Sequence, residues 1–370
     1  MPHGPDWPRS ISLAPLGVVR TLDREGAPMK AAVLTAHRSV ELRDIAEPQP
    51  RADEVVIAVE ASGICGSDLH AWHGRHPFRQ PPVVLGHEPA GTVCARGSGV
   101  TSVEVGERVA IQPHRICGTC RACRHGDNEI CERKQYPATH DWTGSLAEYF
   151  AAPANMVHRV PDGVPLDLAA LAEPLAVASH ANRRGGTGPG MTVNIVGSGT
   201  IGLLCLMVAR HLGAEVDVVT DIDDEKLRVA GQLGAHRPSD VRTSDIVDSL
   251  RADRFGRSDI TIVAATAPGS LVDAAALTRP GGRIVLLGLY ADTAQIAASA
   301  LVTDEQTLVG SLTYNSADFD SALGLLDNDT ETYARFVTKR IGLHEVGAEF
   351  ARQAEGGVAI KTLVVPGLTV

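Results

Sequence analysis

The stretch Thr192-Val-Asn-Ile-Val-Gly-Ser-Gly-Thr-Ile-Gly202 decides the fold. Five residues of strand character run straight into Gly-x-Gly-x-x-Gly, and Thr200 to Leu212 continues as a helix. Gly197 permits the tight turn, Gly199 lets a pyrophosphate approach the backbone, and Gly202 lets helix and strand pack closely. The helix start at Thr200 and Ile201 presents the positive end of its dipole to that anion. A second strand, Val216 to Thr220, ends at Asp221, whose carboxylate suits the hydroxyls of an adenosine ribose. Asp223, Asp224 and Glu225 crowd the same turn and would repel a 2′-phosphate, which favours NAD over NADP.

Outward from this turn the alternation continues. Asp224 to Leu233 reads as a helix, and Ile260 to Ala264, Arg283 to Leu287 and Thr307 to Val309 as strands. The pattern predicts an α/β unit with a doubly wound parallel sheet ending near residue 313. Upstream, Val55 to Val59 and Gly106 to Ile111 are short β-branched runs set between Gly, Pro and polar turns, as in an irregular strand-rich unit. Ala317 to Leu326 reads as a helix and Lys361 to Val365 as a last strand that could rejoin that unit. The expected organisation is a flexible extension over 1–28, a strand-rich catalytic domain over 29–182 completed by 314–370, and a nucleotide-binding domain over 183–313. A chain of 370 residues is better divided into two cores than built on one.

Composition narrows the function. Hydrophobic residues make up 44% and charged residues 21%, ordinary globular usage. A net charge of -10 and the lack of a Lys/Arg block argue against nucleic acid and for a small-molecule partner. No apolar run approaches the roughly 20 residues that span a bilayer, so no membrane partner is expected and the cytoplasm is the default location.

Of seven cysteines, Cys117, Cys120, Cys123 and Cys131 form C-x2-C-x2-C-x7-C. One loop can wrap these thiolates around a single zinc ion and leave no open position, which is a structural site. An iron–sulfur cluster also takes four thiolates, but its usual spacing ends differently and carries Pro after the last cysteine, where Glu132 stands here. A second metal set is dispersed. Cys65, in Gly63-Ile-Cys-Gly-Ser-Asp-Leu-His70, and His87-Glu88 offer thiolate, imidazole and carboxylate. Glu173 adds a carboxylate within the apolar stretch Leu171-Ala-Glu-Pro-Leu-Ala176. Catalytic zinc needs about three protein ligands and one exchangeable position, and Glu88 and Glu173 compete for the carboxylate place.

These motifs, in this order, resemble the zinc-containing medium-chain dehydrogenase/reductase family over Met29 to Val370, with Gly86-His-Glu-Pro-Ala-Gly91 matching its zinc signature. Glu-Pro at Glu173 is similar to the sorbitol, iditol, threonine and butanediol branch, and Gly310-Ser-Leu-Thr-Tyr-Asn315 is also similar to it. The resemblance implies a GroES-like, β-rich catalytic domain enclosing a Rossmann domain. It implies two zinc ions per chain, a catalytic one on Cys65 and His87 with Glu88 and Glu173 as carboxylate partners. It implies Asp68 as the acid that orients the ligating histidine, Ser67 and His70 as a proton relay, and Lys361 near the cofactor pyrophosphate. It also implies a homodimer or homotetramer.

The expected function is therefore an NAD-linked, zinc-dependent oxidoreductase acting on a secondary alcohol of a polyol or sugar derivative. A small-diol or L-threonine 3-dehydrogenase uses the same machinery, and a zinc-stabilised binding protein of the same fold is the non-enzyme alternative. Trp72, His73, Phe78 and Trp142 are candidates for the pocket lining.

Overall fold

A computed structural model describes residues 27–252, 256–288, 290, 293–357 and 359–368. The expected extension lies, up to residue 26, outside them. The chain enters as an antiparallel pair, β1 (Pro28–Ala36) and β2 (Ser39–Ala46), with β4 (Val83–Val84) on the other side of β1. β3 (Glu54–Gly63), β5 (Glu88–Arg96), β6 (Arg108–Ile111), β7 (Tyr149–Pro153) and β8 (Val157–Arg159) build a second, larger sheet around β3. Its inner residues Val55, Ile57, Val59, Val93 and Ile111 pack with Trp142 and Phe150 into a core of their own.

β9 (Thr192–Val196), β10 (Glu215–Asp221), β11 (Arg237–Asp240), β12 (Ser258–Val263), β13 (Thr278–Leu286) and β14 (Thr307–Gly310) form the parallel sheet, ordered β11-β10-β9-β12-β13-β14. The order reverses between β9 and β12, the switch point where doubly wound sheets bind ligands beyond their strand ends. Val193 and Ile195 bury against Leu203, Leu204 and Leu206 of the helix Thr200–His211. Buried Asn194 pins β9 sideways: its amide donates to the Leu277 carbonyl at 3.0 Å and its carbonyl accepts from the Val218 amide at 3.0 Å.

The strand expected over Lys361 to Val365 is β16 (Lys361–Val364), which lies parallel to β15 (Val337–Ile341) and antiparallel to β3, with Leu363 opposite Gly63. This return carries Lys361 to the end of β3, beside the Cys65 segment. β11 was not anticipated: Arg-Pro-Ser-Asp has no apolar alternation, and it forms at a sheet edge, where proline costs no ladder bond. The helix Ala172–Gly185 runs through the expected 182/183 border and packs against Thr200–His211 and Ser316–Asn328. Asp318 locks two of these helices, 2.8 Å from both His180 Nδ1 and Arg183 Nε. Among the described residues no helix is long and apolar enough to cross a membrane.

Candidate active site

β3 ends at Gly63, and two residues later Cys65 precedes the short helix Gly66–Trp72. Asp68, in the first turn of that helix and fully buried, reaches back to accept the Cys65 amide at 3.0 Å. It also accepts the Gly86 amide at 3.2 Å and lies 3.5 Å from His87 Nδ1. One carboxylate thus holds together the two segments that carry the thiol and the imidazole. Burial alone would raise its pKa, but His87, Arg79 and the Cys65 amide keep the carboxyl well below the usual range.

Ligand atoms of Cys65, His87 and Glu88 lie within 4.8 Å of one another. A thiolate, an imidazole and a carboxylate brought together from two segments are a donor set that suits zinc. Gly63 makes room for the carboxylate, since a Cβ there would stand 1.8 Å from Glu88 Oε2. Lys361 is 3% exposed, forms an ion pair with Glu88 and donates to the Ile64 carbonyl at 2.9 Å. The antiparallel pairing of β16 with β3 puts it there.

Glu173 stands in the first turn of Ala172–Gly185, outside the trio of ligand atoms, and accepts the Tyr314 hydroxyl at 2.8 Å. Burial pushes its carboxyl up to about 7, opposed by His87 and reinforced by Glu88. Burial and Glu173 together raise the Tyr314 phenol well above its ordinary value, so it stays a donor. Ser67, His70, His87 and Glu173 share the wall of a cavity of about 1110 Å³. Its opposite wall is made by Thr266 to Leu271 and Tyr290, which follow β12 and β13. A single space therefore joins His87 and Glu173 to the strand ends of the parallel sheet.

The cysteine loop is a separate centre. All four sulfurs lie within 4.8 Å of one another, with Cys117 Sγ 3.9 Å from Cys123 and 3.6 Å from Cys131. Four sulfurs about 2.3 Å from one zinc stand roughly 3.8 Å apart, so the donor set fits that ion. Amides of Thr119 and Cys120 pull the Cys117 thiol down to about 5, whereas burial and the neighbouring thiols push Cys123 up to about 12. A cation in their midst is what would let all four ionise.

At the glycine turn, a Cβ on Gly202 would meet the Gly197 carbonyl at 1.8 Å, so the chain's own packing requires that glycine. Gly199 differs: its φ is -68° and a Cβ would meet nothing within 4 Å. Nothing in the protein demands glycine there, which fits a diphosphate approaching from outside. Thr200 donates its hydroxyl to the Ile360 carbonyl, and Ile201 packs on the core. Asp221 accepts the Ser198 amide at 2.6 Å and the Ile222 amide at 2.7 Å, tying the turn to β10.

Of the four aromatic candidates only Phe78 lines the cavity. Trp72 belongs to the core beneath β1, Trp142 stacks on Phe150 5.9 Å away, and His73 packs edge-on to Trp72. Their hydrophobic bulk is used for packing. Three other wall residues, Arg79, His114 and Tyr136, follow no periodic pattern and carry no local signal. Arg242 was also unforeseen: it donates to the Ile222 carbonyl beside Asp221 but is held by Asp240 at 2.7 Å.

A doubly wound sheet with a dinucleotide turn, facing a thiolate–imidazole–carboxylate cluster across one cavity, defines a nicotinamide-dependent zinc dehydrogenase. Residues 51–162 match the alcohol dehydrogenase GroES-like domain, and residues 200–328 match the zinc-binding dehydrogenase domain. D-xylulose reductase A of Aspergillus oryzae is 33% identical over 353 residues, covering 92% of this chain and 98% of that protein. Sorbitol dehydrogenase of Bacillus subtilis is 36% identical over 265 residues, 70% of this chain and 75% of the relative. An alcohol dehydrogenase structure from Escherichia coli CFT073, complexed with NADH, superposes with a TM-score of 0.84 at 28% identity, covering 92% of this chain and 100% of the other. The chain belongs to the zinc-containing alcohol dehydrogenase family, in its medium-chain dehydrogenase/reductase form, and is an oxidoreductase.

Proposed function

We propose that the protein interconverts a secondary alcohol of a polyol or sugar derivative and its ketone by hydride transfer to NAD, with two zinc ions per chain. The observation that carries this reading is the single cavity shared by the His87 and Glu173 side chains and the strand ends of the parallel sheet. The substrates named for the xylulose reductase and sorbitol dehydrogenase relatives support the polyol class.

When bound, zinc supplies Lewis acidity at the substrate hydroxyl and NAD supplies the hydride acceptor. Cys65, His87 and Glu88 would hold the catalytic ion, and Cys117, Cys120, Cys123 and Cys131 the structural one. Asp68 keeps Cys65 and His87 in register. Ser67 accepts a hydrogen bond from Arg79 at 2.9 Å, and its second lone pair is suited to receive the alcohol's proton. His70, three residues on and exposed on the same wall, passes that proton to water. Glu173, steadied by Tyr314, orients the hydroxyls of the substrate. Gly197, Gly199, Gly202 and the helix start at Thr200 and Ile201 receive the pyrophosphate, and Asp221 the ribose. Asp223, Asp224 and Glu225 on the same turn, with Arg242 engaged by Asp240, support NAD over NADP.

The test is reduction of NAD, and separately NADP, followed at 340 nm across polyols, sugar acids, small diols and threonine, on protein of determined zinc content. Turnover of a polyol or sugar derivative with NAD, at about two zinc ions per chain, is the expected result. Turnover of a diol or threonine alone would replace the substrate class. No turnover by fully loaded protein that binds NAD would favour the binding-protein alternative.

A further inference from the structure

Arg79 is the most deeply buried cation of the cavity wall. It is 4% exposed, yet its side chain lines the space shared with Ser67, His70, His87 and Glu173. A guanidinium carries five N–H donors in a planar fork, and burying it costs free energy unless they are met. Here Nη1 donates to Ser67 at 2.9 Å and stands 3.4 Å from Asp68, while Nε is buried with no partner. The Asp68 contact is long for a charge-assisted bond, which settles at about 2.7–2.9 Å. Asp68 already accepts the amides of Cys65 and Gly86, so pairing with it does not explain the arginine fully.

The surroundings add to the positive field. Arg75 lines the same cavity and is exposed, and Glu173 is the one carboxylate among the described lining residues. The Arg79 segment is held in place: the Arg79 amide donates to His76 Nδ1 at 3.2 Å. That bond requires a ring nitrogen free to accept, and burial together with Arg79 pushes His76 down to about 4, so it is neutral and adds no charge.

We propose that Arg79 recognises an anionic group on the substrate, so that the sugar derivative oxidised at this site carries a carboxylate or a phosphate. This rests on the reading of the cavity as the alcohol-oxidising site and names its substrate class. The planar fork suits either anion, and a neutral polyol would leave the guanidinium with the long Asp68 contact, shared with His87, as its counter-charge. Because Arg79 bonds Ser67, which in turn faces the reacting hydroxyl, three hydrogen bonds in series, roughly 9 Å at most, separate the anion from the oxidised oxygen. The reaction balance is unchanged: hydride goes to NAD, the hydroxyl proton goes through Ser67 and His70 to water, and the anionic group keeps its charge.

The experiment compares kcat/KM of the zinc-loaded enzyme with NAD for matched substrates: xylitol and sorbitol, xylonate and gluconate, and sorbitol 6-phosphate. The expected result is a preference on the order of 10–100-fold for an anionic member, the size of one charged hydrogen-bonded contact. The carboxylate and phosphate arms show which anion it is. In Arg79→Gln the anionic-to-neutral ratio collapses, mainly through KM, and Arg79→Lys restores part of it. A merely structural arginine would lower both substrate classes together. Calorimetry of gluconate, sorbitol 6-phosphate and sorbitol binding to the zinc–NADH complex gives a readout apart from turnover. Equal use of neutral and anionic substrates, or an unchanged ratio in Arg79→Gln, would overturn the inference and leave the polyol reading standing. If nothing is turned over, the polyol reading fails and the calorimetry decides: an anion that binds wild type but not Arg79→Gln supports the role of Arg79, and no anion binding overturns it.

Discussion

The two candidate metal centres differ in where their donors come from. The cysteine loop draws all four sulfurs from fifteen consecutive positions, and its geometry is almost complete within the loop itself. The cavity site draws on Cys65 after β3, on His87 and Glu88 at the start of β5, on Glu173 of a central helix, and on Lys361 returned by β16. A site assembled from one loop can support the fold but has no direction in which to meet a substrate. A site assembled from several elements leaves one side open, and here that side is the cavity. On the proposed assignment, ligands supplied by one loop serve stability, whereas ligands brought together by the fold serve chemistry.

Substitutions can break this division, beginning with the largest effect. Cys65→Ser should lower turnover on the order of 10³-fold or more while NAD still binds, because the glycine turn is untouched. Near-normal activity in that variant would remove Cys65 from the chemistry. Cys120→Ser should cost about one zinc per chain and on the order of 3–5 kcal/mol of stability, seen as a lower melting temperature. Full zinc content and an unchanged melt would deny the loop its structural role. Tyr314→Phe sharpens the comparison within the cavity, with an expected loss in kcat/KM of about tenfold, or 1.4 kcal/mol. Its hydroxyl stabilises the charged form of Glu173, so its loss should raise the pKa of that carboxyl further. The acidic limb of the pH–rate profile then moves to higher pH. A limb that stays put, or moves to lower pH, would separate Glu173 from the reaction.

Legibility followed the same division. Local patterns were readable: the strand–turn–helix of Thr192 to Leu212, the cysteine spacing, and Asp221 at the end of β10 are each set by neighbours in sequence. The parallel sheet followed from them because alternating strands and helices have few other solutions. Long-range pairings were not readable. The ion pair of Lys361 with Glu88 follows from the register of β16 against β3, and no local pattern states that register. Tyr314 lay in a stretch recognised for its wording, but its bond to Glu173 spans 141 positions. Arg79 sits between prolines in a non-periodic segment, and only the folded chain shows that it is buried beside Ser67. Trp72 and Trp142 illustrate the converse, since a loop aromatic says nothing of which core will claim it.

The most direct measurement is a stepwise chelation of the zinc-loaded enzyme, following zinc content, NAD reduction and thermal melting on the same samples. The open site should empty first, so activity is expected to vanish with the loss of about one zinc per chain while the melt holds, and the second ion to leave together with the fold. Activity that survives removal of the first ion, or a fold that collapses with it, would contradict the assignment of chemistry to the cavity and of stability to the loop.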